Sequence, residues 1–443
     1  MSLSAEEQRV CDAIGGREAE LIGLAATLIS FDTTAREPGE AAREEASLQE
    51  YLASRLRIIG AEVDLWEPDA EALAGMPMVP PGLDFKGRPQ LIARRGGSGG
   101  GRSLVLNGHI DVVSGEPRGA WSSDPFKPEV RNGRLHGRGA CDMKGGIAAM
   151  VLATEVLAEL GVQLRGDLLV ATNTDEESSG AGGTALVQHG LRADAGIVTE
   201  PTDFQTWVAC RGSEYGVIRI PGRPGHAEVR QPPWQQGGAV NAIEKAVPVL
   251  GAIESLRREW ATRAEHVHLQ LSPPDLLATM VRAGEWAVTY PAACELTLAV
   301  MFLPVQADAD GAGSRVRAEV QEWVTREATA ADGWLHEHPP SFEWWPNAVM
   351  PMEIPTSEPI VTEMASASGD IGRPSRIGGL DSWYDGATLT QLAKIPAIGF
   401  GPPGINPDGV TMAHMVDEYV PVDGLVACAQ ALAVAAMRYC GVA

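Results

Sequence analysis

Eight side chains capable of metal or proton chemistry stand at telling places in the chain: His109, Asp111, Asp142, Asp175, Glu176, Glu177, Glu200 and His414. His109 follows Leu104-Val105-Leu106, a short apolar run that reads as a buried strand. Its imidazole is therefore expected at or just past a strand end, where open α/β sheets hold their ligands. A His with an Asp two residues on suits a metal ligand whose far ring nitrogen is fixed by a carboxylate. Asp175-Glu176-Glu177 follows a second apolar run, residues 168–172, and Glu200-Pro201-Thr202 follows a third, residues 195–199. Two histidines among several carboxylates suit a borderline cation such as zinc. The surplus of acids suggests two metals sharing a bridging carboxylate. The adjacent pair Glu176-Glu177 allows one to bind metal while the other serves as general base. Each fragment alone has an ordinary reading, as a strand-end His, a solvated acidic turn or a helix start at Thr202. Their recurrence at successive strand ends favours a site.

The elements that must position these residues follow from periodicity. Segments 6–29 and 41–56 carry apolar residues at helical spacing, and so does the alanine-rich 146–160. Residues 61–66 and 90–94 read as strands, 68–87 as an irregular loop rich in Pro and Gly, and 96–101 as a glycine-rich turn. A helix is expected over 180–190. Alternating strands and helices predict an α/β fold with a mostly parallel sheet. The pattern changes near Arg211. Residues 214–220 and 294–302 alternate as antiparallel strands do, with helices over 239–263 and 313–328. These read as a small α+β domain of two helices on an antiparallel sheet. After Trp345 the strand–helix pattern returns, with a strand at 395–400 and a helix at 420–439. The expected organisation is a catalytic domain in two parts, 1–211 and 341–443, with an inserted domain at 212–340.

Composition narrows the partners. A net charge of −23 argues against nucleic acid and anionic membrane, both of which demand a basic face. The six cysteines are scattered without a C-x-x-C pair, which suggests no disulfide framework and a reducing compartment. Residues 1–20 are polar and acidic, unlike a signal peptide. No apolar stretch is expected to reach the ~20 residues that span a bilayer. A cytoplasmic protein is the expectation.

These motifs resemble those of the dinuclear zinc amidohydrolases and peptidases that include acetylornithine deacetylase, succinyl-diaminopimelate desuccinylase, aminoacylase and the glutamate-releasing carboxypeptidase. The resemblance runs from about Glu20 to Arg438. It rests on Gly108-His109-Ile110-Asp111-Val112-Val113, then Trp121 with Asp124-Pro125-Phe126, then Gly137-Arg138-Gly139-Ala140 and Asp142-Met143-Lys144-Gly145-Gly146. Asp175-Glu176-Glu177, Glu200-Pro201-Thr202, Gly225-His226-Ala227, Asn241-Ala242-Ile243 and Ala413-His414 with Asp417-Glu418-Tyr419-Val420 follow in the family's order. The resemblance implies that His109 and Glu200 bind one metal, Glu177 and His414 the other, and that Asp142 bridges them. Asp111 would hold His109, Glu176 would be the general base, and His226 would stabilise the oxyanion, often across a dimer. Two divalent ions are implied, zinc first, with cobalt or manganese as substitutes. The implied activity is amide hydrolysis of a small N-acylated amino acid or amine, nearest to acetylornithine deacetylation, by a homodimer joined through the inserted domain.

Departures from the family pattern bear on substrate. Val288 stands where the family commonly has an Asn, and Met301 where it has the Arg that takes the substrate carboxylate. Trp383-Tyr384-Asp385-Gly386-Ala387 replaces a run that carries a second Arg in some members. A pocket without cations leaves a carboxylate unpaired at high cost. A less acidic or more apolar substrate is therefore expected, with Trp286 and Trp383 as pocket walls. Two alternatives are a metallo-exopeptidase or dipeptidase, and a deacylase or deformylase of an amide that is not an amino acid. A non-catalytic metal-binding or storage protein would have no need of Glu176.

Overall fold

The computed structural model describes residues 2–35, 38–346 and 348–443. The chain forms two compact units. One comprises Met1–Ala209, Met352–Gly379 and Tyr384–Ala443, the other Cys210–Pro351 with Leu380–Trp383.

The first unit is built on a nine-stranded mixed sheet. Four strands form its centre: β1 (Leu104–His109), β2 (Leu168–Asn173), β3 (Ala195–Val198) and β4 (Ala397–Gly399). They lie in the order β2-β1-β3-β4 and all run parallel. Every residue of β1, β2 and β3 is buried. That explains their continuous apolar character, because strands covered on both faces cannot alternate. Antiparallel strands Gln90–Arg95 and Glu62–Trp66 extend one side. The register pairs His109 with Asn173 and Asn107 with Val198, so the carboxyl ends of three central strands come level along one edge.

Helices cover this sheet. Helix α1 (Lys144–Glu159) is buried over almost its whole length. It sits so close to the end of β3 that a Cβ on Gly146 would lie 2.0 Å from the carbonyl oxygen of Thr199. Gly146→Ala is therefore expected to cost about 1–3 kcal/mol through overpacking, read as a lower thermal unfolding midpoint. An unchanged midpoint would mean that helix and strand separate freely. Helix Val422–Cys440 amends the expectation about apolar stretches, since it is long and apolar enough to cross a membrane by length and composition. Here it is a core helix with most of its length buried.

Other differences have local causes. Residues 6–29 form two helices, Ala5–Gly15 and Glu18–Ser30. The backbone N–H groups of Gly16 and Arg17 close the first by bonding back to Asp12 and Ile14. The 68–87 loop holds one helical turn, Ala70–Leu73, capped by the Asp69 side chain. A small three-stranded sheet joins Glu129–Arg131, Arg134–His136 and Tyr419–Pro421. Its strands are three residues each, too short to show a period.

The second unit is a four-stranded antiparallel sheet in the order Asp275–Ala283, Ala293–Phe302, Gly212–Pro221, Ser341–Trp344. Ala293–Phe302 alternates strictly between buried and half-buried positions. One face of the sheet meets helices Ala242–Thr262 and Ser314–Ala331 in a core that includes Ile218, Leu296, Val249, Trp260 and Val320. Asn241 caps the first of these helices through its side-chain oxygen. The sheet extends past residue 340, because Ser341–Trp344 pairs with Gly212–Pro221.

Candidate metal centre

The site is assembled at the carboxyl edge of the central strands. His109 is the last residue of β1, and Asp142 stands two residues before α1. Glu176 and Glu177 lie in the turn after β2, Glu200 lies two residues after β3, and His414 lies in the long segment after β4. The turn after β2 sorts its acids by direction. Asp175 adopts a left-handed backbone with φ 62°. Its carboxylate pairs with the buried Arg88 guanidinium and accepts from the Thr174 hydroxyl at 2.7 Å. Glu176 and Glu177 face the histidines instead. Asp175 therefore does not join the cluster, although the sequence placed it beside them.

The geometry of the cluster is compact. His109 Nε2 lies 3.1 Å from Asp142 Oδ1, 3.9 Å from Glu176 Oε2 and 3.9 Å from Glu200 Oε1. His414 Nε2 lies 3.0 Å from Glu177 Oε2 and 3.5 Å from Asp142 Oδ2. Asp142 thus offers one oxygen to each histidine. His109 Nδ1 donates to the main-chain carbonyl of Asp111 at 2.9 Å, which leaves Nε2 as the nitrogen able to accept a cation. The Asp111 carboxylate is 3.7 Å from the ring. It accepts instead from the backbone N–H of Glu176 at 3.2 Å and of Glu177 at 3.0 Å. Asp111 therefore ties the end of β1 to the turn that carries both glutamates.

The electrostatics demand positive charge. Burial pushes Glu176 and Glu200 well above the usual carboxylate range, and each is raised further by neighbouring acids. Burial also opposes the charge on Asp142, but hydrogen bonds from both histidines outweigh it and hold that carboxyl below the usual range. His414 is raised to about 10 by its bonds to Asp142 and Glu177. Burial disfavours the His109 imidazolium, yet the surrounding acids, Glu176 first, raise it well above its ordinary value.

These residues fit divalent cations. Two groups, His109 with Glu176 and Glu200, and His109 with Asp142 and Glu177, each bring their ligand atoms within 4.8 Å of one another. That is close to the ~4 Å spanned by two opposed metal bonds of about 2.0–2.2 Å. Glu200 Oε1 is buried without a hydrogen-bond partner, and an orphaned buried oxygen of this kind calls for a cation or water.

Beneath the cluster lies a polar relay that the sequence did not reveal. Asn107 Nδ2 donates to Asn173 Oδ1 at 2.9 Å, and Asn173 Nδ2 donates to Asp385 Oδ2 at 2.5 Å. Burial raises Asp385 to about 6. The Asn–Asn–Asp arrangement crosses three separate segments, so no local pattern encodes it.

The remaining expected residues lie in the second unit. His226 is exposed, and its backbone bridges to Thr289. Ala227 N donates to Val288 O at 2.8 Å, so the family departure at Val288 is a direct neighbour of the His226 turn. Trp286 is 72 % exposed. Trp383 is half-buried, with its indole nitrogen lacking a partner. Met301 is half-buried on Ala293–Phe302.

Comparison with known proteins agrees with this geometry. Residues 105–438 match the model of peptidase family M20/M25/M40. The chain is 27 % identical over 430 residues to an N-formyl-4-amino-5-aminomethyl-2-methylpyrimidine deformylase of Bacillus subtilis (strain 168), covering 92 % of this chain and 91 % of that one. It is 29 % identical over 423 residues to an acetylornithine deacetylase of Myxococcus xanthus, covering 94 % and 96 %. A solved dinuclear metal-binding peptidase of Bacillus subtilis superposes with a TM-score of 0.61 at 15 % identity, covering 96 % of this chain and 99 % of that one.

Proposed function

The chain belongs to peptidase family M20/M25/M40, and from that premise we propose that it is a metal-dependent hydrolase cleaving the amide C–N bond of a small N-acylated amine or amino acid. The observation that carries this is Asp142 offering one carboxylate oxygen to each of two histidines, with Glu200 buried and Glu176 and Glu177 half-buried around them. His109 and Glu200 would hold one divalent ion, Glu177 and His414 the other, and Asp142 both. Zinc is the first choice for this donor set, with cobalt or manganese as substitutes. Such ions, when bound, polarise a carbonyl and make water acidic enough to ionise near neutral pH.

The chain's own residues do the rest. Glu176 is the general base that takes a proton from the attacking water and returns it to the departing amine. Asp111 keeps Glu176 and Glu177 in register through their amide N–H groups. His226 would donate a hydrogen bond to the oxyanion that develops on the scissile carbonyl.

The substrate proposed is a neutral or apolar amide. Val288 and Met301 cannot pair a carboxylate, and a relative covering nearly the whole chain is a formamide hydrolase of an aminopyrimidine. A second reading, deacylation of an N-acyl amino acid, is favoured by the equally extensive match to an acetylornithine deacetylase. The experiment is metal analysis with hydrolysis of a panel of N-formyl, N-acetyl and N-succinyl substrates, with and without a carboxylate. Neutral formamides turned over fastest by a protein holding two metals is the expected result. Preference for dicarboxylic N-acyl amino acids would overturn the substrate reading, and no metal would overturn the site.

A homodimer joined through the inserted unit is part of the proposal. Strand Asp275–Ala283 lies at the end of its sheet and is mostly exposed. Ile243, Val247 and Leu250 form an exposed apolar stripe along helix Ala242–Thr262. An open strand edge beside an apolar stripe invites a second copy. Sedimentation should give a dimer for the wild type and a monomer for Val247→Asp combined with Val281→Asp. A wild-type monomer with full activity would remove both the dimer and any cross-subunit role of His226.

A further inference from the structure

The geometry points to Glu418 as a positioning residue for the metal centre, acting through the main chain of Cys141 and Asp142 rather than as a ligand. This inference rests on the two-metal reading above.

The Glu418 side chain is fully buried. One carboxylate oxygen, Oε1, accepts from the backbone N–H of Cys141 at 2.8 Å and of Asp142 at 3.0 Å. The other, Oε2, accepts from Arg138 Nη1 at 2.6 Å and from the Gly139 N–H at 3.1 Å. Four donors converge on one carboxylate, and three of them are main-chain N–H groups within residues 139–142. A carboxylate is the one side chain able to accept from so many donors at once. Arg138 is itself braced, with its guanidinium 4.9 Å from the Trp121 ring and its Nη2 donating to Ser114 O at 3.1 Å.

Glu418 also lies four residues beyond His414. The stretch between them is pinned where Asp417 accepts from Ser122 N and Oγ at 2.8 and 2.9 Å, and where Gly137 N donates to Glu418 O at 3.0 Å. His414 and Asp417 both hold left-handed backbone, with φ 65° and 58°, a conformation that needs such surroundings to persist. One side chain therefore fastens the segment carrying His414 to the segment carrying Asp142. Half of the centre depends on both. The His109–Glu200 half has its ligands on or just past buried strands, whereas His414 is 54 % exposed on its loop. Loss of Glu418 should therefore separate the two halves.

The test is titration of the metal-stripped full-length protein with Co²⁺, following stoichiometry, affinity and the visible absorption of the bound ion. Glu418→Gln keeps a carbonyl that can accept from Cys141 and Asp142 but sets an amide NH2 against the Arg138 and Gly139 donors, so it should still bind two equivalents, with the second weakened less than in the alanine variant. Glu418→Ala should retain the first equivalent, weaken the second about 10–100-fold, as the loss of outer partners of metal ligands does, and change the cobalt spectrum. If the alanine variant does not fold, Glu418→Asp keeps the charge but withdraws the acceptor, and the same split between equivalents is expected. Equal weakening of both equivalents, or none, in a folded Ala or Asp variant would make Glu418 a stabiliser only and overturn the inference. So would a Gln variant that loses the second metal as fully as Ala, because charge and not amide alignment would then be responsible. Fewer than two equivalents on the wild type would instead overturn the two-metal reading and this inference with it.

Discussion

Glu176→Ala should lower kcat by about 10²–10⁴-fold, the usual contribution of a general base, while metal content stays at the wild-type level. Two readings of Glu176 compete. Its Oε2 stands 3.9 Å from His109 Nε2, and it groups with His109 and Glu200 as closely as a ligand would. A ligand lost to alanine would take metal affinity with it, and a base would not. The neighbour Glu177 supplies the control, since it already contacts His414 at 3.0 Å and its removal should weaken metal binding. The backbone argument agrees with this division of labour. Asp111 grips both amides, so the two carboxylates are held as a pair on adjacent residues and differ only in what they face. An alanine variant at 176 that retains activity within tenfold would dismiss the base. One that binds a single metal would make Glu176 a ligand.

What the sequence revealed and what it withheld divide along physical lines. The central strands were legible because burial on both faces leaves unbroken apolar runs, and the residues at their ends were legible because strands fix where a side chain emerges. Strand Asp275–Ala283 was not legible, because most of it is exposed and it carries no alternation to read. The break between Ala5–Gly15 and Glu18–Ser30 was hidden by an apolar periodicity that continues across it. At the site, all five expected metal ligands come together, but the turning of Asp175 away from the cluster depends on one left-handed φ that residue type alone does not dictate. The partners of Asp111 and Glu418 were invisible for a different reason. Their carboxylates bind main-chain amides, which every residue has, and those amides lie 65–66 and 277–276 positions away in the chain.

Arg88→Met should be strongly destabilising. Arg88 and Asp175 are both nearly inaccessible, at 2 % and 3 % side-chain exposure, and are paired directly. Arg88 Nη2 also donates to the carbonyl of Asp84, and its guanidinium lies 5.5 Å from the Phe85 ring. The residue therefore connects the 68–87 loop, whose Leu73, Leu83 and Phe85 pack on Ala181 and Ala185, to the turn that aims Glu176. Removing the cation leaves a carboxylate buried without its counter-charge, at a cost of about 3–5 kcal/mol. A two-unit chain has no single unfolding free energy, so the loss is best read locally, as faster amide hydrogen exchange at residues 174–180 together with a lower unfolding midpoint. Combining Arg88→Met with Asp175→Asn removes both charges, and Asn tolerates the left-handed backbone that position 175 requires. The double variant should then be more stable than Arg88→Met alone, which is the signature of coupling within a pair. Additive losses would show that each residue acts on its own surroundings. A loss below about 0.5 kcal/mol in the single variant, typical of exposed positions, would show that water reaches Asp175 and that the turn carrying Glu176 is held by its backbone contacts alone.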